Sequence, residues 1–168
     1  SLLPVVGPRK LGIYLEEVAP WLNKSIVFVK FQDFNHSHHP VRQHLLREAH
    51  AHGRGPYHLC SVPVFHCPDA HGLVLQLLCG EKIVYSGDTR PCESLVREGW
   101  GATLLIHEAT FDDTMAKDAK RKKHSTLSEA LDVGRRMESK RIVLTHFSQR
   151  YPRIGGEKKE KKTTRKQQ

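Results

Sequence analysis

Apolar positions along this chain recur with two different periods, and the changes of period sort it into strands and helices. The run Leu2-Leu3-Pro4-Val5-Val6 is short and continuous, as a buried strand is. Leu11, Leu15, Val18 and Leu22 then recur at helical spacing, which predicts an amphipathic helix over 11–22 whose end is disturbed by Pro20. "SIVFVKF" at 25–31 reads as a second strand. Residues 32–58 are His-rich and poorly patterned, with one helix expected over 40–49 before "HGRGP" breaks it. Strands are expected at 59–65, 73–78 and 82–85, the last two joined by a turn at Cys79-Gly80-Glu81.

Beyond Thr89 the two periods alternate: helix over 93–98, strand over 102–106, helix over 124–139, strand over 141–145, with a polar loop ahead of His124. That texture describes an α/β sheet covered by helices. Four strands release titratable groups where they end: His66 after "SVPVF", Asp88 after "KIVYSG", His107 and Glu108 after "ATLLI", and His146 after "RIVLT". In layered α/β folds the C-terminal edge of the strands is where sites are built.

Composition narrows the class. The chain has 168 residues, 38% hydrophobic and 27% charged, enough for one soluble domain with a real core. No run approaches the roughly 20 apolar residues of a membrane helix, and the N-terminus lacks signal-peptide texture, so no membrane partner is expected. An apolar opening without an initiating Met reads as a piece that starts inside a fold. Cys60, Cys67, Cys79 and Cys92 form no C-x-x-C pair, which favours a reduced intracellular setting. The net charge is +9, of which residues 157–168 contribute six Lys or Arg against two Glu. A basic surface suits a polyanion, with RNA or DNA the natural candidate.

Each candidate side chain has a plainer reading beside the chemical one. His66 is either a metal ligand held by a Pro-containing turn or an ordinary hydrogen-bonded imidazole, with Asp69 and His71 near enough to compete. Asp88 is either a turn aspartate bonding nearby amides or a carboxylate able to bridge two cations. His146 is either a ligand or a core-edge residue packed by Phe147. Glu108 is placed to orient a neighbouring imidazole into a better proton donor, while Ser125 or Thr126, supported by Glu129, reads as the N-cap of the following helix. His36, His38, His39 and His44 lack the carboxylate and alternation of a two-metal hydrolase and read as a loop with incidental metal affinity.

Taken in order, "LLPVVGPRKLGIYLEE", "PVFHCPDAHG", "KIVYSGDTRPCESLV", "ATLLIHEATFDD", "KKHSTLSEALDVG" and "IVLTHFSQRYPRI" resemble the C-terminal half of the long form of tRNase Z, in the metallo-β-lactamase superfamily. The resemblance implies a four-layer αββα sandwich, incomplete in this chain: residues 1–154 form the C-terminal part of the catalytic domain and 155–168 a basic, disordered tail. It implies a site with two zinc ions, in which His66 binds one, His146 the other, and Asp88 bridges both. His124 becomes the proton donor to the leaving oxygen, supported by Glu108 or His107. The reaction implied is endonucleolytic removal of the 3′ trailer from precursor tRNA, in the nucleus or the mitochondrion.

The family's H-x-H-x-D-H motif is absent from the chain, and "HSHH" does not replace it. The resemblance therefore implies that an N-terminal portion of the same protein completes the site, and that residues 1–168 alone bind zinc weakly and are inactive. The alternative is a non-catalytic RNA-binding or scaffold relative that keeps the fold.

Overall fold

A computed structural model of the chain describes residues 2–21, 25–51 and 56–148. The basic tail expected over 155–168, and the end of the domain expected over 149–154, lie outside these residues. β1 (Leu2–Gly7) and β2 (Ser25–Lys30) pair in parallel, Leu2 opposite Ser25, and α1 (Arg9–Val18) connects them. Gly12 is required where α1 crosses β2: a Cβ there would lie 2.4 Å from the Phe28 ring.

The second strand stops a residue earlier than the apolar run, because Phe31 opens a short helix, α2 (Phe31–Phe34), that buries Phe34. From its end the Asn35 side chain reaches β3 (Pro56–Pro63), donating to the Ser61 carbonyl at 2.7 Å and accepting from the Ser61 amide at 2.9 Å. The Asn35 amide thus imitates a neighbouring strand. Arg42, from α3 (Pro40–Ala51), donates to the Leu59 carbonyl at 3.2 Å. Polar side chains in this way occupy the hydrogen-bonding edge of β3, which would otherwise invite pairing.

β3 leads a five-stranded sheet of order β3-β4-β5-β6-β7, completed by β4 (His71–Leu77), β5 (Lys82–Tyr85), β6 (Leu104–Glu108) and β7 (Ile142–Thr145). β4 is antiparallel to both neighbours, while β5, β6 and β7 are mutually parallel. With β4 the reversed strand, β3, β5, β6 and β7 all point the same way, so their C-terminal ends share one edge. The four residue groups picked out in the sequence emerge there together.

One face of the sheet carries the row Val74–Val84–Leu105–Ile142, packed with Leu95 and Val96 of α4 (Glu93–Glu98) and with Val133 of α6 (Leu127–Arg136) and the adjoining Met137. The opposite row, Leu73–Tyr85–Ile106–Val143, is apolar but leaves Tyr85 44% and Val143 49% exposed. A helical layer on one face and an apolar, part-exposed other face make the αβ half of an αββα sandwich.

Two expectations need correction. The polar loop ahead of His124 contains a helix, α5 (Ala116–Lys122), which buries Ala119 and joins Asp118 to Arg121 across one turn. Its good helix formers outweigh the weak apolar pattern. The following helix begins at Leu127 rather than His124, because Thr126 is its N-cap in a reciprocal capping box with Glu129. His124 and Ser125 are consequently loop residues facing the strand-end edge.

Candidate metal centre

Glu108 is the last residue of β6 and is buried to 1% exposure, so its carboxylate must be satisfied internally. It accepts five hydrogen bonds: Oε1 takes the Thr89 amide and His124 Nδ1, both at 2.8 Å, and Oε2 takes the Thr110 amide, the Ser125 amide and the Thr110 hydroxyl. These donors come from the loops after β5, β6 and α5, which makes Glu108 the tie between three segments.

His146 follows β7 with φ of 62°, a conformation unusual for a side chain with a Cβ. Its Nδ1 lies 2.7 Å from the Thr110 hydroxyl. That hydroxyl has one hydrogen, directed to the Glu108 carboxylate at 2.7 Å, so it accepts from His146 Nδ1–H. Nε2 of His146 is left as the nitrogen available to a metal and faces Asp88, 3.6 Å from Oδ1. His66 Nδ1 is likewise engaged, lying 2.9 Å from the Lys123 carbonyl, which can only accept. Lys123 presents that carbonyl from a left-handed C-cap of α5, with φ of 59°.

Asp88 makes no hydrogen bond to a neighbouring amide among the described residues, so the turn-aspartate reading loses its physical basis. Gly87 brings it to the edge: its φ is 61°, and a Cβ there would lie 2.9 Å from the His71 carbonyl oxygen. Donor atoms of His66, Asp88 and His124 lie within 4.8 Å of one another, and so do those of Glu108, His124 and His146. Imidazole nitrogens with carboxylates suit zinc, and second-partner bonds that fix each Nδ1–H are how metal-binding imidazoles are held. The donor chemistry therefore fits the implied ion.

His107 stands apart. It points to the helix-covered face, is wholly buried, and places Nδ1 2.7 Å from the Glu108 carbonyl while Nε2 finds no partner. Burial pushes its pKa below the usual imidazole value, with the Glu108 carbonyl opposing. Of the two residues considered as support for His124, Glu108 is the one that touches it. His36, His38 and His39 occupy the turn between α2 and α3 and His44 lies in α3, away from both donor groups.

Three contributors escaped the sequence reading. Thr110 was visible only as the last letter of "HEAT". Arg90 was visible only as the residue after "SGDT", yet its Nη1 donates at 2.6 Å to both the His124 carbonyl and Glu129 Oε2, and its Nη2 pairs with Oε1. Burial alone would raise the Glu129 pKa, but the Arg90 and Thr126 hydrogen bonds outweigh it and hold the carboxyl below its usual value. Lys123 contributes through its main chain, which no side-chain motif announces.

A sheet whose parallel strands end in an Asp, His and Glu cluster, under one helical layer, is the αβ half of the metallo-β-lactamase fold. The family model described as the Beta-lactamase superfamily domain matches residues 3–147, and the chain belongs to this family. It is 52% identical over 96 residues to the Zinc phosphodiesterase ELAC protein 2 homolog of Caenorhabditis elegans, and 55% over 91 residues to Zinc phosphodiesterase ELAC protein 2 of Homo sapiens. Those alignments cover 57% and 54% of this chain and 11% of each relative. It is 51% identical over 106 residues to tRNase Z TRZ3, mitochondrial, of Arabidopsis thaliana, covering 57% of this chain and 12% of that protein. Among solved structures, a long form RNase Z from yeast superposes with a TM-score of 0.75 at 27% identity, over 95% of this chain and 26% of that one. The resemblance to the long form of tRNase Z read from the motifs is borne out.

Proposed function

We propose that this chain supplies one half of a two-zinc phosphodiesterase site that, in the intact protein, removes the 3′ trailer from precursor tRNA. The observation that carries the reading is the convergence of His66, Asp88, His124 and His146 on one sheet edge, with the Nδ1 atoms of His66 and His146 engaged by other partners and His146 Nε2 facing Asp88. The printed names of the relatives, zinc phosphodiesterase and tRNase Z, support the substrate and the metal. Two Arabidopsis relatives are named as mitochondrial, which supports that compartment. Among the described residues no helix is long and apolar enough to cross a membrane.

His66 and His146 would each hold one zinc and Asp88 would join both. Zinc, when bound, supplies Lewis acidity that polarises the phosphoryl oxygens and favours ionisation of water. His124 is oriented by Glu108 through Nδ1, so its Nε2 carries the proton to the departing 3′-oxygen. Glu108 and Thr110 hold both imidazoles in register during that transfer. His66 with Asp88, and His146 with Asp88, give each ion two donors from this chain, short of a four-ligand zinc shell, and the rest of the protein would provide the remainder.

The test is cleavage of precursor tRNA by the purified intact protein, with and without chelator. The expected result is a trailer released in a zinc-dependent way, with activity reduced to background in His146→Ala and Asp88→Ala, and absent from residues 1–168 alone. Tight binding of precursor tRNA without cleavage by the zinc-loaded intact protein would overturn the reading in favour of an RNA-binding scaffold.

A further inference from the structure

We propose that Phe65, with the Lys123 ammonium over one face of its ring, presents the other face as a stacking platform for a nucleobase next to the scissile phosphate. The inference rests on the phosphodiesterase reading and adds how the RNA strand is gripped there. Phe65 immediately precedes His66 and is 61% exposed, although its backbone is pinned on both sides. Its amide donates to the Thr89 hydroxyl at 3.1 Å, and its carbonyl accepts from the Arg90 amide at 3.0 Å. A phenyl ring fixed in water next to a ligand cluster is not a packing residue of the described core.

Lys123 connects the ring to the site. Its carbonyl fixes His66, while its Nζ lies 5.5 Å from the Phe65 ring centroid. Lys120, Arg121 and Lys122 precede it in the last turn of α5, where Lys122 lies over the Phe111 ring and Arg121 pairs with Asp118. Every nucleobase has a π face and every nucleotide a phosphate, so an aromatic ring with an ammonium on one face meets both without selecting a base. The ligand class is therefore an RNA strand with an unpaired base beside the cleaved bond.

The experiment is a cycle on the intact protein, combining Phe65→Ala, Phe65→Leu and Phe65→Trp with precursor tRNA whose nucleotides flanking the cleavage point are normal or abasic. Base stacking on an aromatic ring is worth roughly tenfold to hundredfold in affinity. The expected result is a rise of about tenfold or more in KM with the normal precursor for Phe65→Ala and Phe65→Leu, near wild-type KM for Phe65→Trp, and unchanged zinc content. On the abasic precursor the wild type should fall to the level of Phe65→Ala, with no further loss in the variant. Full activity in Phe65→Leu, equal losses on both precursors, or loss of zinc in Phe65→Ala would each overturn the platform. If the wild-type intact protein cleaves no precursor, the functional reading falls and the platform with it; if Phe65→Ala cleaves normally, the platform alone falls.

Discussion

The Thr110 hydroxyl lies 2.7 Å from His146 Nδ1 and passes its own hydrogen to Glu108, so the buried carboxylate decides which nitrogen of His146 is free. Thr110→Val keeps the shape and removes both bonds. Zinc affinity of the intact protein should fall about 10- to 100-fold, the usual effect of losing such a supporting bond, and Thr110→Ser should retain it. Competition with a chromophoric chelator measures both.

Each Glu108 carboxylate oxygen accepts from at least one backbone N–H, so Glu108→Gln points an amide NH2 at a group that can only donate, whichever way it turns. Stability should drop by on the order of 2 kcal/mol, read by chemical denaturation. His124 would also lose its orienting carboxylate, and kcat on precursor tRNA should fall about 10²- to 10⁴-fold. A variant with wild-type stability would show that the five bonds are not held in solution.

Arg90 acts on His124 from behind, clamping its carbonyl and the Glu129 carboxylate with one planar fork. Lysine keeps the charge and cannot reproduce the fork. Arg90→Lys should lower kcat about tenfold while leaving KM for precursor tRNA within twofold, since the clamp touches no substrate. A change confined to KM would count against this positioning role.

His107 is buried and its pKa lies below the usual 6.5, so the unfolded chain takes up a proton that the folded chain resists. Stability should therefore fall as pH drops below about 6.5, continuing until the folded-state pKa is reached. Replacing it by Leu should flatten that part of the stability–pH curve relative to wild type. Glu129 acts lower: its depressed carboxyl contributes stability above about 4.5 that is lost as pH falls through the folded value. Parallel denaturant titrations between pH 7 and pH 3 separate the two windows.

Asp88 and His146 could be recognised from sequence because each sits directly beyond an apolar run, and a strand's end is legible as a change of pattern. That they share an edge follows from β5, β6 and β7 being parallel, and that His66 joins them depends on β4 being reversed, which the turn at Cys79-Gly80-Glu81 suggested and the antiparallel registers of β4 establish. Choosing between His107 and Glu108 required strand parity, since adjacent residues face opposite sides of a sheet. α5 was hidden because its buried contact rests on small Ala119 amid lysines. Arg90 with Glu129, and Thr110 with His146, join positions 39 and 36 residues apart, and no local pattern encodes such bonds.

Among the described non-glycine residues, Asp69, Lys123, Glu138 and His146 have positive φ, and three of these four, Asp69, Lys123 and His146, belong to the loops around the site. Each holds a left-handed backbone that disfavours a side chain by about a kilocalorie per mole or more. Glycine would relieve it, yet glycine at His146 has no imidazole and glycine at Lys123 no ammonium. Screens that reward heat resistance alone would therefore drift toward this rim and erase it, so directed evolution of the protein needs selection for catalysis in every round.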